Sequence, residues 1–168
     1  MKTVTTSAVG ALLLVAIASP SQADDSGFVR WKKIIGIEQA NNVVGNPPNT
    51  VTGGGQPWST LDGDVEVSLS DGGVEFDVRG LTLAGGNSIG TPDGVTNVVG
   101  TLLCGLMTGE TTTVIDTDAV PLSAQGNAEF SGSFKSSTAG CRATDVAFLI
   151  RNASGTFPWI GNGAVRVP

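Results

Sequence analysis

Apolar and polar residues alternate along most of this chain with a period of two. Val65, Val67 and Leu69 are separated by acidic or polar residues, and the pattern recurs in 74–78 (VEFDV). Residues two apart on a β-strand lie on the same face, so this alternation predicts half-buried strands. Turn segments rich in glycine or proline interrupt it about every 8–12 residues, a spacing typical of antiparallel sandwiches and barrels.

The pattern predicts an all-β fold, because no stretch has the period of an amphipathic helix. The expected architecture is a Greek-key-like antiparallel β-sandwich of about eight strands, with a barrel as the alternative. The predicted strands are 28–37, 65–69, 74–81, 95–104, 111–116, 128–134, 146–151 and 159–167, the last with a turn at 161–163.

One hairpin is predicted in detail. The turn segment 70–73 (SDGG) separates two alternating runs, whose apolar residues must share the buried face. The predicted register places Leu69 opposite Val74 and, on the outer face, Asp64 opposite Arg79. A slip of one residue would turn acidic side chains into the core.

Three carboxylates converge on the outer face of this hairpin. In the predicted register Glu66 lies opposite Asp77, and Glu75 lies diagonal to Glu66. Like charges on directly opposed residues disfavour a sheet. Three interpretations remain open: full solvation, a weakly bound Ca²⁺, or a catalytic carboxylate pair of the kind that glycan hydrolases use. Nothing nearby matches a dedicated calcium loop, so no metal site is predicted.

Two tryptophans, Trp58 and Trp159, each follow a proline. An indole held rigidly at the surface stacks on sugar rings through its apolar face, which would suit a carbohydrate-binding module. Indoles also bury so much apolar area that they often anchor cores. The sequence leaves both roles open.

The chain has two cysteines, Cys104 and Cys141, separated by 36 residues. In an exported small domain a cysteine pair forms a structural disulfide more often than a redox or metal site. We therefore predict a Cys104–Cys141 bridge.

Export is predicted from the first 23 residues. Lys2 precedes an apolar run (AVGALLLVAIA), and PSQA offers small residues for cleavage after Ala23. The run is about half as long as the roughly 20 residues that a membrane helix needs. The expected organisation is a signal peptide over 1–23 and a single β-sandwich domain over 24–168. The protein is expected to be secreted and extracellular, with the periplasm and the cell surface as alternatives.

Composition narrows the function classes. The chain has no histidine and no tyrosine, which excludes a serine–histidine–aspartate triad and a histidine-bearing zinc site. Without the leader's Lys2 it keeps 8 basic and 15 acidic side chains, a net charge of −7, which opposes nucleic acid as a partner. No cofactor and no membrane span in the mature chain are predicted.

The predicted function is that of an extracellular binding or structural module whose partner is a protein or a glycan. The alternatives are a carboxylate-dependent glycan hydrolase and a Ca²⁺-dependent adhesion or carbohydrate-binding module. The candidate binding residues are Trp58, Trp159, Glu66, Glu75 and Asp77.

Overall fold

The structure is a computed structural model that describes residues 27–107 and 109–167. The predicted leader, residues 1–23, lies outside the described residues. Within the described part of the chain all regular structure is β, in thirteen strands. They are β1 (Phe28–Gly36), β2 (Val43–Val44), β3 (Val51–Thr52), β4 (Trp58–Ser59), β5 (Asp62–Ser68), β6 (Gly73–Arg79), β7 (Thr82–Leu83), β8 (Asn97–Cys104), β9 (Thr113–Asp116), β10 (Val120–Pro121), β11 (Ala128–Ser133), β12 (Val146–Asn152) and β13 (Trp159–Val167).

Nine strands form one antiparallel sheet in the order β10-β8-β12-β13-β1-β5-β6-β11, with β9 also paired to β8. β1 and β13, the first and last strands of the described residues, are neighbours in the middle of this sheet. The other four strands form two small sheets, β2 with β3 and β4 with β7. The predicted antiparallel all-β fold is confirmed. The large sheet curls as a barrel does, so that its two ends face each other like the layers of a sandwich.

The curl brings the inner faces of distant strands together. Phe148 on β12 and Phe76 on β6 have ring centroids 5.7 Å apart, and Trp31 on β1 lies 6.1 Å from Phe148. Gly100 on β8 makes room for them, since a Cβ there would lie 2.7 Å from the Phe76 ring and 2.8 Å from the Phe148 ring. The sheet therefore encloses one aromatic-centred core.

The hairpin β5–β6 has the predicted faces but not the predicted register. Val67 lies opposite Val74, so the predicted pair Leu69–Val74 is wrong by two residues. Leu69 leaves the ladder, and its N–H donates to the carbonyl of Gly27 (2.6 Å). Gly72 N–H donates back to the Ser68 carbonyl (3.0 Å), so six residues, 68–73, separate the last registered pair where the prediction had four. A shift of two keeps every side chain on its face.

The predicted turn at 161–163 is also wrong. These residues belong to the continuous strand β13, where Gly161 faces Gly36 and Gly163 faces Ile34 across the ladder to β1. The reason is packing, since a Cβ on Gly163 would lie 2.7 Å from the indole of Trp31. Glycine serves here for close approach, not for a turn.

The predicted disulfide is confirmed, with Cys104 and Cys141 Cα atoms 5.3 Å apart. It joins the end of β8 to the long segment between β11 and β12. Within residues 27–107 and 109–167 no helix has the length and apolar character that a membrane crossing requires.

A buried carboxylate, Asp145, organises the loop beside the disulfide. Its side chain is 3% exposed and accepts N–H bonds from Leu106 (2.8 Å) and Met107 (3.0 Å). Burial opposes ionisation of Asp145, but these two donors and the guanidinium of Arg142 outweigh it and hold its pKa below the ordinary value. Glu110 also binds Arg142 and completes the cluster.

We expect the Asp145→Asn variant to lose stability at neutral pH and to depend less on pH in acid. A carboxylate with a lowered folded-state pKa adds stability above its unfolded pKa, about 3.9. That stability disappears as pH falls through the folded pKa. Thermal unfolding at pH 7, 5, 4 and 3 measures this, with the exposed neighbour variant Thr144→Ala as control. Parallel curves for wild type and Asp145→Asn would contradict the role of Asp145.

Candidate functional site

The two edges of the curled sheet face each other along a line that we call the seam. On one side run β9, residues 117–119 and β10; on the other side runs β11. Backbone bonds join the edges at both ends, from Ser123 N–H to the Asn127 carbonyl and from Lys135 N–H to the Asp116 carbonyl, each 2.9 Å.

Between these two bonds the backbone of β11 is unpaired on its seam side. Phe134 N–H donates to Gly72, next to β6, and hydrogen-bonding direction alternates along an antiparallel strand. The N–H and C=O groups of Glu129, Ser131 and Ser133 therefore point away from β6, into the seam. No backbone bond joins them to β9 or β10, all of which the structure describes.

The opposite edge explains why the seam stays open. Pro121 on β10 has no N–H to donate. The N–H of the next residue, Leu122, donates to the Thr96 carbonyl on the β8 side. Because hydrogen-bonding direction alternates along a strand, the backbone of Pro121 points to the seam. The edge also carries a bulge. Asp116 pairs with Thr101 and Val120 pairs with Val98, so the chain advances by four residues on this edge and by three on β8. Both features prevent a regular ladder with β11.

A groove follows the open part of the seam. Two adjoining hollows of about 500 Å³ and about 400 Å³ share Asp77, Val120 and Glu129 in their walls. Val120 and Phe130 are partly exposed inner-face residues that pack against the core. Phe130 also stacks on Phe76, with centroids 5.8 Å apart. The groove thus gives solvent access to the apolar interior.

Carboxylates line the outer rim of this groove. Glu129 lies opposite Asp77 across the β6–β11 ladder, and Glu75 lies opposite Ser131. Arg79 binds Asp77 (3.0 Å), whereas Glu75 and Glu129 have no ion pair with any described residue. The rim is therefore acidic, beside an apolar floor.

Two of the predicted carboxylates, Glu75 and Asp77, lie at the groove, and the third does not. Glu66 lies opposite Glu75, not opposite Asp77 as the sequence predicted, because of the two-residue shift in register. On the β1 side, the Glu66 carboxylate forms an ion pair with the Arg30 guanidinium, with Nη2 and Oε2 2.5 Å apart. Among the described residues no group of three or more acidic or cysteine side chains is placed to hold a metal ion.

The two candidate tryptophans lie apart from the groove and from any exposed platform. Trp159 is 4% exposed, and its indole N–H donates to the Asn42 carbonyl (3.0 Å). Trp58 is 6% exposed and lies on β4 opposite Leu83. Neither presents its flat face to solvent as a sugar platform requires.

Sequence reasoning missed four groove residues: Val120, Pro121, Glu129 and Phe130. A signal was present, because a proline inside an otherwise apolar run (DAVPLS) indicates an edge strand. Glu129 and Phe130 gave no signal alone, since their role depends on the edge that they face.

No family model, curated protein or solved structure matches this chain.

Proposed function

We propose that this protein is an extracellular binding module that takes an extended, positively charged peptide into its seam. The observation that carries the proposal is the row of unpaired backbone groups on Glu129, Ser131 and Ser133 beside an acidic groove. A free strand edge is a template for adding a further strand, and peptide recognition by strand addition uses such edges.

The groove supports a specific side-chain pattern in the ligand. Successive side chains of an extended peptide point to opposite faces. On the inner side they would meet Val120 and Phe130, and on the outer side they would meet Glu75, Asp77 and Glu129. A peptide in which apolar and basic residues alternate satisfies both sides.

Charge favours this ligand over an acidic or neutral one. The rim carries Glu75, Asp77 and Glu129 against Arg79 alone, within a chain whose net charge is −6. Each exposed ion pair contributes only about 0.2–1 kcal/mol and weakens in salt. We therefore assign affinity mainly to the backbone bonds and the apolar contacts, and selectivity to the acidic rim.

The predicted leader and the disulfide support the extracellular part of the proposal. Disulfides persist in oxidising compartments, and the Cys104–Cys141 bridge is formed in the structure. Outside the cell, such a module meets unfolded or exposed segments of other proteins. A protein segment therefore fits this groove better as the partner than a glycan does.

We expect the labelled peptide Val-Lys-Val-Lys-Val-Lys to bind, and the Ser131→Pro variant to lose at least about tenfold in affinity. Proline removes the Ser131 N–H, which points into the seam and not toward β6, so the ladder to β6 is kept. Fluorescence anisotropy measures the affinity, and the thermal midpoint confirms that the variant is folded.

The matched control is Ser131→Ala, which keeps the N–H and should bind like wild type. A peptide of the same composition in block order, Val-Val-Val-Lys-Lys-Lys, and one with glutamate in place of lysine should both bind more weakly. Equal binding by Ser131→Pro and Ser131→Ala would refute strand addition. Equal binding of the lysine and glutamate peptides would refute the acidic rim as the selective element.

A further inference from the structure

A second concave site lies beside Trp58, where β4 and β7 pair outside the main sheet. Trp58 is held there by its backbone N–H, which donates to the Ile37 carbonyl (2.8 Å). A cavity of about 270 Å³ adjoins its side chain and shares no wall residue with the seam groove. The site is therefore independent of the peptide site proposed above.

The indole N–H of Trp58 is an unused donor in this cavity. It makes no hydrogen bond with any described residue, whereas every fully buried side-chain N or O among those residues has a partner. Nε1 is therefore not fully buried, although Trp58 as a whole is only 6% exposed. Gly54 lines the same cavity, and a Cβ on it would lie 3.6 Å from this nitrogen.

Three further polar residues line the cavity. Asp93 is fixed in a turn with φ of 46°, closed by a bond from Val95 N–H to the Pro92 carbonyl (3.0 Å). Asn152 Oδ1 already accepts bonds from Ser154 N–H (3.1 Å) and Oγ (2.8 Å), so its Nδ2 remains as a donor. Gln56 offers both a donor and an acceptor.

The rest of the wall is apolar. An apolar wall with a few convergent polar groups is the usual composition of a small-molecule site. The apolar wall residues are Leu83, Val95, Pro158 and Ile160. The cavity volume, about 270 Å³, lies just below the roughly 300–1,000 Å³ typical of ligand pockets. The cavity thus fits one small ring and not a large cofactor.

We propose that this cavity binds one ring of a neutral carbohydrate. Sugar hydroxyls both donate and accept, so they match a donor-only indole N–H at Trp58 together with an acceptor-only carboxylate at Asp93. The C–H faces of the ring match the apolar wall. An anion would be repelled by Asp93, with no basic residue in the wall to offset it. A metal cation would find a single carboxylate, that of Asp93, among the wall residues.

The ligand extends beyond one ring. A groove of about 570 Å³ continues from the cavity, and both are lined by Gln56 and Asp93. Residues of the glycine-rich loop, Gly85, Gly86, Asn87 and Ser88, also line this groove. This continuity identifies an oligosaccharide as the ligand, with one ring in the cavity and the chain along the loop.

The test is titration of ¹⁵N-labelled protein with cellohexaose, xylohexaose, maltohexaose, chitohexaose and an oligogalacturonate. The chain has three tryptophans and thus three indole N–H signals. We expect at least one neutral hexasaccharide to shift the Trp58 indole signal and to leave that of Trp159 in place. The anionic oligogalacturonate should leave both in place. If no neutral hexasaccharide shifts the Trp58 signal, or the oligogalacturonate shifts it equally, the proposal is overturned.

Variants then test the contact itself by calorimetry. Trp58→Phe keeps the aromatic ring and removes the N–H, so it should weaken binding of the active sugar by about two- to tenfold, the range for one lost hydrogen bond. Trp159→Phe removes an indole N–H outside the cavity and should bind like wild type. Equal affinities of the two variants would overturn the role of Trp58. Loss of sugar binding in Ser131→Pro would place the sugar in the seam and also overturn the proposal.

Discussion

Replacing both Cys104 and Cys141 by serine is expected to lower the free energy of unfolding by about 4 kcal/mol. The bridge joins residues 37 apart in sequence, and a loop of this length removes about that much chain entropy from the unfolded state. Small domains have a net stability of only about 5–15 kcal/mol. The thermal midpoint should therefore fall by roughly 10–20 °C, measured by calorimetry or circular dichroism.

Reduction of the wild-type protein is the control for this prediction. A thiol reductant should lower the midpoint of wild type to that of the double-serine variant and should leave the variant unchanged. A variant with the midpoint of the oxidised wild type would mean that the hydrogen bonds around Asp145 hold this loop without the bridge.

The class of fold and the long strands were predictable because they depend on local alternation. Residues 62–67 and 74–79 of the β5–β6 hairpin alternate as predicted, since the side-chain period of a strand is two, whereas Ser68 at the end of β5 is buried. The disulfide was predictable because the chain offers one pairing. The hairpin register was not, because hydrogen bonds of Leu69 and Gly72 that no pattern encodes decided the loop length.

The two-residue strands β2, β3, β4, β7 and β10 were missed for a related reason. A segment this short has no period to detect, and its partner is fixed only once the sheet has curled. The segment 161–163 (GNG) shows the opposite error, because local turn chemistry was outweighed by the packing of Trp31 on Gly163.

The candidate site was only half predictable. Glu75 and Asp77 were identified as an exposed acidic group, and the structure adds Glu129 to them. The groove depends on the edge at Val120 and Pro121 meeting β11, a long-range event that follows from the order of strands in the sheet. Side-chain chemistry was visible in the sequence, whereas the unpaired backbone that makes it useful was not.

Because the curl of the sheet encloses Phe148, we expect its truncation to lower the free energy of unfolding more than that of any other core residue. Phe148 is completely buried between Trp31 and Phe76, so Phe148→Ala is expected to destabilise by about 3–5 kcal/mol. The control, Phe28→Ala, removes a ring that is 49% exposed on β1 and should cost about 1 kcal/mol or less. Urea unfolding measures both. Similar losses for the two variants would mean that β6 and β12 do not meet across a shared interior, and without that curl the edges of the seam would not face each other.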